Sequence, residues 1–86
     1  MHGRRMVLFV TPGSGEVAYV AGRKIGGAVE RNRARRVLRA ALREVAPRGV
    51  VDHDVVLVAR EDIRGARSGE LIEEMGELLE QAGART

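Results

Sequence analysis

The residues of this 86-residue chain best suited to chemistry are arginines, concentrated in the stretch GGAVERNRARRVLRAALREV at residues 26–45. On a helix of period 3.6 this stretch separates into an apolar stripe and a basic face. The stripe consists of Ala34, Val37, Leu38, Ala41, Leu42 and Val45. The opposite side carries Asn32, Arg35, Arg36, Arg39 and Arg43, with Arg33 on its flank and Arg31 near the apolar edge. Guanidinium groups stay charged and make forked contacts with phosphate, so this face can bind a polyanion.

A solvated helix face is the alternative interpretation of this basic row. Solvated faces usually mix charges of both signs, because opposite charges four residues apart attract and like charges repel. Here Arg39 stands four residues from both Arg35 and Arg43, and only Glu30 and Glu44 supply negative charge in the stretch. Each repelling pair costs roughly 0.2–0.5 kcal/mol in an isolated helix. The accumulation of such pairs favours a nucleic-acid partner.

The charge distribution along the chain supports the same interpretation. The chain has a formal net charge of +3, but residues 23–43 contain eight basic residues and one acid, for a net charge of +7. Residues 44–86 contain ten acids and five arginines, for −5, and the first 22 residues contribute +1. A basic block within a nearly balanced chain is typical of a nucleic-acid footprint.

Composition excludes several other classes of protein. The chain has no cysteine, which excludes a disulfide framework and a thiolate zinc site, and His2 and His53 are too isolated to predict a histidine metal site. No apolar run approaches the roughly 20 residues that span a bilayer, and the apolar run at residues 6–10 is too short for a signal peptide. These features predict a soluble cytoplasmic protein, with residues 1–86 forming one RNA-binding domain.

A protein-only nuclease is a further alternative, because carboxylates near one another can hold catalytic metal ions. Asp52 and Asp54 precede an apolar run, and Glu61 and Asp62 follow it. If that run is a strand, the two acidic pairs lie at opposite ends of it. The spacing therefore predicts neither catalytic residues nor a metal site.

The apolar patterns predict three strands and two helices in the order β-β-α-β-α. Residues 6–11 and 17–21 alternate as strands, and the turn PGSG between them predicts an antiparallel hairpin. Residues 54–60, DVVLVAR, are dense enough in β-branched residues to form the central strand. Ser68 is a plausible N-cap for a second helix that ends before Gly83. Its apolar stripe consists of Leu71, Ile72, Met75, Leu78, Leu79 and Ala82, and its acidic face of Glu70, Glu73, Glu74, Glu77 and Glu80.

This order predicts an α/β fold of the α+β two-layer type, with one sheet face uncovered. Two helices with one apolar stripe each can cover only one face of a three-stranded sheet. Phe9 and Val7 point to the other face, where Phe9 could stack on a base of single-stranded nucleic acid. The alternative is that Phe9 is an ordinary strand aromatic covered by a further element or by a second copy of the chain.

Residues 22–44, GRKIGGAVERNRARRVLRAALRE, resemble the signature of the bacterial ribonuclease P protein family. In that signature, a strand runs into a basic loop and then into a helix with an arginine–asparagine–arginine core, which Arg31, Asn32 and Arg33 match. The strands MVLFV, VAYVA and DVVLVAR and the last helix resemble those of the family in order and spacing. The resemblance implies a two-layer sandwich like the second domain of a ribosomal small-subunit protein, with a left-handed strand–helix–strand crossover.

The resemblance also implies a function. The family's protein is the small subunit of a ribonucleoprotein that removes the 5′ leader of precursor tRNA, with hydrolysis performed by the RNA subunit and its bound Mg²⁺. By position, the residues implied to contact the catalytic RNA are Arg23, Lys24, Arg31, Asn32, Arg33, Arg35, Arg36, Arg39 and Arg43, while Phe9 and Val20 would line a cleft for the leader. A stand-alone RNA-binding module, with or without ribosome association, is the competing class.

This sequence departs from the family pattern in three places. The family's first amphipathic helix and first short strand have no counterpart here, which leaves one wall of the leader cleft open. Gly27 stands where the family usually has asparagine, and the serines common around Val20 and Gly22 are replaced. These departures make binding of the catalytic RNA a stronger expectation than binding of the leader. They also raise the alternative that the uncovered face pairs with a second copy as a homodimer.

Overall fold

In a computed structural model of the chain, which describes residues 1–84, three strands and two helices follow the predicted order. They are β1 (Met6–Pro12), β2 (Val17–Val20), α1 (Ala28–Val45), β3 (His53–Ala59) and α2 (Ser68–Gln81). Two short 3-10 turns, Arg23–Ile25 and Glu61–Ile63, precede α1 and α2. No helix in the described part of the chain is long and apolar enough to cross a membrane.

The three strands form one mixed sheet in the order β1-β3-β2. β1 pairs antiparallel with β3, and β2 pairs parallel with β3. The predicted central position of β3 is confirmed, but the predicted antiparallel hairpin of β1 and β2 is wrong. The reason is that β3 is apolar on both faces and forms backbone hydrogen bonds on both sides, so it separates the two earlier strands. The crossover from β2 through α1 to β3 joins parallel strands, and its handedness stays a prediction.

The hydrophobic core lies between one face of the sheet and the two helices. Met6 and Leu8 of β1 and Leu57 of β3 are completely buried on this face. α1 packs on β2 and β3, α2 packs on β1, and the two helices pack on each other. The predicted α1 stripe is buried as expected, apart from a half-buried Val37; the buried α1 residues are Ala34, Leu38, Ala41, Leu42 and Val45.

The ends of the helices follow local backbone chemistry. Gly26 adopts a φ of +138°, and a Cβ there would come within 3.1 Å of the Glu30 side chain, so glycine suits the entry to α1. The predicted N-cap of α2 at Ser68 is wrong by one residue, because Arg67 occupies that position. Its backbone N–H donates to the Glu70 carboxylate at 2.9 Å, which is the bond that a glutamate three residues into a helix forms in a capping box. That hydrogen bond, followed by the charge of Arg5, holds the pKa of Glu70 below its ordinary value.

Arg5 ties the segment before β1 to the acidic face of α2. Its guanidinium donates to Glu70 at 2.8 Å and to Glu74 at 3.0 Å, while its backbone N–H donates to the other oxygen of Glu74 at 2.9 Å. The side chains of Arg5 and Glu74 are only 17% and 12% exposed, so solvent screens this contact less than a surface pair. Part of the negative charge of α2 is therefore neutralised within the protein.

Adjacent residues of β3 provide a test of which sheet face is buried. We expect Val55→Ala to lower the free energy of unfolding by about 2 kcal/mol, because it removes two methyl groups from the core. Val56→Ala is the matched control on the uncovered face and should cost less than half as much. Urea unfolding of both variants measures the difference, and equal losses would contradict the assignment of the two faces.

Candidate nucleic-acid interface

The predicted basic residues lie on the outer side of α1. Arg33, Arg36, Arg39 and Arg43 are exposed, while Arg31 and Arg35 are half-buried. The orientation follows from the burial of the apolar stripe, since positions on the opposite side of a helix must then face solvent. Arg35 also donates to the side-chain oxygen of Asn32, one turn earlier, at 2.9 Å. The structure therefore brings Asn32, Arg35, Arg36, Arg39 and Arg43 together on one surface, with Arg33 on its flank and Arg31 near the apolar edge. We call these seven residues the basic row.

The arginines of the basic row have no carboxylate partners within residues 1–84. The ion pairs in that range join Arg4 to Asp62 and Arg5 to Glu70 and Glu74. Each involves the segment before β1, not α1. The α1 guanidinium groups therefore keep their charge available to an external anion, which is the condition that a polyanion site requires.

Arg23 and Lys24 extend the positive surface beyond α1. They lie exposed on the 3-10 turn that follows β2. This turn borders a cavity of about 570 Å³ whose apolar lining includes Val20 and Val58. Arg4 and Arg60 also line the cavity, together with Glu61 and Asp62. Sequence reasoning missed Arg4 and Arg60. The strand pairings that bring the segment before β1 and the end of β3 close to β2 are not visible in either segment alone.

Phe9 and Val20 lie on the uncovered face of the sheet, as predicted. Phe9 is 55% exposed and Val20 is 43% exposed. Phe9 pairs with Val56 of the central strand, and Val20 pairs with its near neighbour Val58. Two strand spacings of roughly 4.8 Å separate the edge strands, so the two side chains flank a shallow apolar strip about 10 Å wide.

The two helices divide the surface by charge. α1 covers the β2 side of the sheet and α2 covers the β1 side. The basic row therefore lies on the side of the β2 edge, and the acidic face of α2 lies toward β1. A polyanion that meets the basic row on α1 does not have to cross the glutamates of α2.

The carboxylates considered for a nuclease lie apart, as expected from the sequence. Asp54, at the start of β3, accepts three backbone N–H bonds on one oxygen, from Ser14, Gly15 and Glu16, at 3.0–3.2 Å. Glu61 and Asp62 follow the far end of the same strand. No group of three histidine or carboxylate side chains in residues 1–84 is arranged to hold a metal ion. Asp54 instead fixes the loop between β1 and β2.

Tyr19 is a residue of the interface that sequence reasoning missed. The guanidinium carbon of Arg39 lies 5.1 Å from the centre of the Tyr19 ring, which is the geometry of a cation–π contact. Burial raises the pKa of the Tyr19 phenol, while the charges of Arg39 and Arg43 oppose that rise. The available signal was the alternation of VAYVA, which turns Tyr19 toward the helix side of the sheet.

Comparison with known sequences shows that the chain is similar to Ribonuclease P proteins. The sequence model of the family described as Ribonuclease P matches residues 1–83. The Ribonuclease P protein component of Symbiobacterium thermophilum is 43% identical over 67 residues, which are 78% of this chain and 58% of the relative. That of Oceanobacillus iheyensis is 39% identical over 62 residues, which are 72% of this chain and 51% of the relative. The chain thus spans somewhat more than half the length of these curated relatives.

Solved structures show the same fold. The chain superimposes on the Staphylococcus aureus RNase P protein with a TM-score of 0.83 at 18% identity, covering 100% of this chain and 82% of that one. The RNase P protein from Thermotoga maritima gives a TM-score of 0.75 at 24% identity, covering 94% and 80% of the two chains. These likenesses confirm the two-layer α+β architecture predicted from the sequence.

The Tyr19–Arg39 contact can be tested by titration, because Tyr19 is the single tyrosine of the chain. We expect Arg39→Gln to raise the pKa of the phenol further, since the cation that favours the phenolate is removed while burial remains. The ultraviolet absorbance of the phenolate measures this pKa directly. Arg36→Gln serves as the control, and an equal shift in that variant would show that the effect is not specific to Arg39.

Proposed function

The chain belongs to the ribonuclease P protein family, and from this premise we propose that it is the protein subunit of a bacterial ribonuclease P. In this proposal the complex acts in the cytoplasm and removes the 5′ leader from precursor tRNA. The RNA subunit performs the hydrolysis, and the protein contributes binding energy and charge neutralisation. The observation that carries the proposal is the basic row of α1, whose arginines have no carboxylate partners within residues 1–84.

The basic row is assigned to the catalytic RNA. A planar guanidinium makes two parallel hydrogen bonds with phosphate oxygens, and it keeps its charge at any physiological pH. Such contacts position a folded RNA and read little of its sequence. Arg23 and Lys24 of the preceding turn are assigned to the same RNA, so the full set is Arg23, Lys24, Arg31, Asn32, Arg33, Arg35, Arg36, Arg39 and Arg43.

The uncovered sheet face is assigned to the single-stranded leader. Phe9 offers a ring on which a base can stack, a contact worth roughly 1–3 kcal/mol per base in single-strand binders. Val20 lies at the same face beside the cavity lined by Arg23 and Lys24. A leader lying along this strip would meet an apolar surface with positive charge at one end. This combination suits a strand with exposed bases and a charged backbone.

Mg²⁺ is assigned to the RNA subunit, because the described residues form no carboxylate cluster that could hold it. The protein would instead reduce the repulsion between RNA segments by bringing arginines among their phosphates. The folded ribozyme would then need less Mg²⁺ in solution to reach its active form.

The salt dependence of RNA binding tests the role of the basic row. With about five phosphate contacts, the logarithm of the association constant should fall with the logarithm of salt concentration with a slope of about −3.5 to −4.5. Arg36→Gln should reduce the magnitude of that slope by about 0.7–0.9, since one contact is removed. Filter binding to the ribonuclease P RNA of Symbiobacterium thermophilum provides the measurement. Arg67→Gln, an exposed arginine at the start of acidic α2, is the matched control and should leave the slope unchanged.

Reconstitution of precursor-tRNA cleavage tests the whole proposal. We expect the protein to accelerate cleavage by the same bacterial RNA at low Mg²⁺ and to make little difference at high Mg²⁺, where the ions replace its charge. Product formation from a labelled precursor is the readout. An unchanged rate at low Mg²⁺ would contradict the assignment and would favour a stand-alone RNA-binding module.

Phe9→Ala separates the leader from the catalytic RNA in the same assay. The variant should weaken binding of a precursor with a leader and leave binding of mature tRNA unchanged. Equal effects on both substrates would remove the leader from the proposal without affecting the basic row.

A further inference from the structure

We propose that Tyr19 is a positioning residue for RNA binding, which holds the guanidinium of Arg39 beside the β2 edge in the orientation that grips a phosphate. This inference rests on the proposed function of the basic row. It adds the edge strand β2 to the proposed contact with the catalytic RNA, which otherwise consists of α1 and one turn. The partner is the phosphate backbone of a folded RNA.

The contact joins two elements that are distant in the chain. Tyr19 lies on β2, and its pairing with Leu57 of β3 places it on the sheet face beneath the helices. Because β2 is an edge strand, the ring is only half-buried there. Arg39 reaches across from α1 to the ring while its own side chain stays exposed. The guanidinium is therefore fixed by the protein and open to solvent at once.

A guanidinium in contact with a ring keeps its hydrogen-bond donors. Its N–H groups lie in the guanidinium plane, and a cation–π contact uses the charge without using an N–H group. An arginine extended into water must lose rotamer freedom when it binds, whereas one already held by a ring loses less. Tyr19 should therefore strengthen the contribution of Arg39 to RNA affinity without touching the RNA.

Tyr19 could instead be a packing residue of ordinary kind, and its hydroxyl helps to separate the two roles. No group in residues 1–84 forms a hydrogen bond with that hydroxyl, so Tyr19→Phe removes no bond that the fold uses and preserves the ring. Tyr19→Leu keeps an apolar side chain at the position and removes the ring. A packing role predicts a loss in the leucine variant that does not depend on Arg39.

A double-mutant cycle with Arg39→Gln tests the proposal, using the ribonuclease P RNA of Symbiobacterium thermophilum as the probe. We expect Tyr19→Leu to weaken binding by about threefold to fivefold and Tyr19→Phe to weaken it less than twofold. In the Arg39→Gln background, Tyr19→Leu should change the affinity by less than about 1.5-fold, because no guanidinium remains to be positioned. An equal loss with and without Arg39 would overturn the proposal.

Two further measurements keep the outcome interpretable. If Tyr19→Leu fails to fold, the fluorescence emission of Tyr19 in the native protein is measured instead. Tyr19 can be observed alone because the chain has one tyrosine and no tryptophan. RNA binding should change this emission in the native protein and leave it unchanged in Arg39→Gln; the same change in both proteins would overturn the proposal. If an unrelated structured RNA of equal length binds as tightly as the ribonuclease P RNA, that result contradicts the proposed function. The double-mutant cycle still tests the role of Tyr19, because it can be measured with either RNA.

Discussion

The apolar stripe of α1 packs on β2 and β3, and this contact determines where the arginines of the same helix point. Each large side chain in the stripe, such as Leu38 or Leu42, gains roughly 1.5–3 kcal/mol by leaving water. The repulsion between neighbouring arginines costs roughly 0.2–0.5 kcal/mol per pair. Burial therefore exceeds repulsion several-fold, and the helix forms with its positive charges aligned on the outer surface.

Within residues 1–84, no carboxylate forms an ion pair with the arginines of the basic row. The shortest ion pairs in residues 1–84 join Arg5 to Glu70 and Glu74, and this one positive charge offsets part of the negative charge of α2. The acidic helix α2 is thus partly neutralised, while the arginines of α1 form no ion pair with any carboxylate of the described residues. Binding of an RNA backbone would relieve the repulsion between neighbouring arginines of α1, which the free protein retains. This charge distribution therefore favours the complex over the isolated chain.

Sequence reasoning succeeded where a periodic pattern determines burial. The stripe of α1 and the alternation of β1 placed Leu38 inside and Phe9 outside, because a helix and a strand each allow only one phase against a single core. It also identified β3 as the central strand from its unbroken apolar run. The family resemblance added the assignment of the arginine–asparagine–arginine core, which no periodicity could supply.

Sequence reasoning failed where the answer depends on strand pairing or on contacts between distant segments. The turn between β1 and β2 resembles a hairpin turn. In the structure, one carboxylate oxygen of Asp54 accepts three backbone N–H bonds from this loop and holds it near the start of β3. The ion pairs of Arg5 with Glu70 and Glu74 join residues that are far apart in the chain, and so does the contact of Tyr19 with Arg39. No local pattern predicts such pairs, because each partner alone is compatible with an exposed position.

The strand order also governs how the chain can fold. Met6 pairs with Ala59 and Val17 with Val55, so every pairing between the three strands joins residues 38 or more positions apart in the chain. Closing such large loops costs entropy before any sheet contact forms, which slows the search for the native state. During synthesis on the ribosome, β1 and β2 must wait as unpaired apolar segments until β3 emerges. In that interval the apolar stripe of α1 also lacks β3, one of the two strands on which it packs, so the outward orientation of the arginines is completed only when β3 joins the sheet.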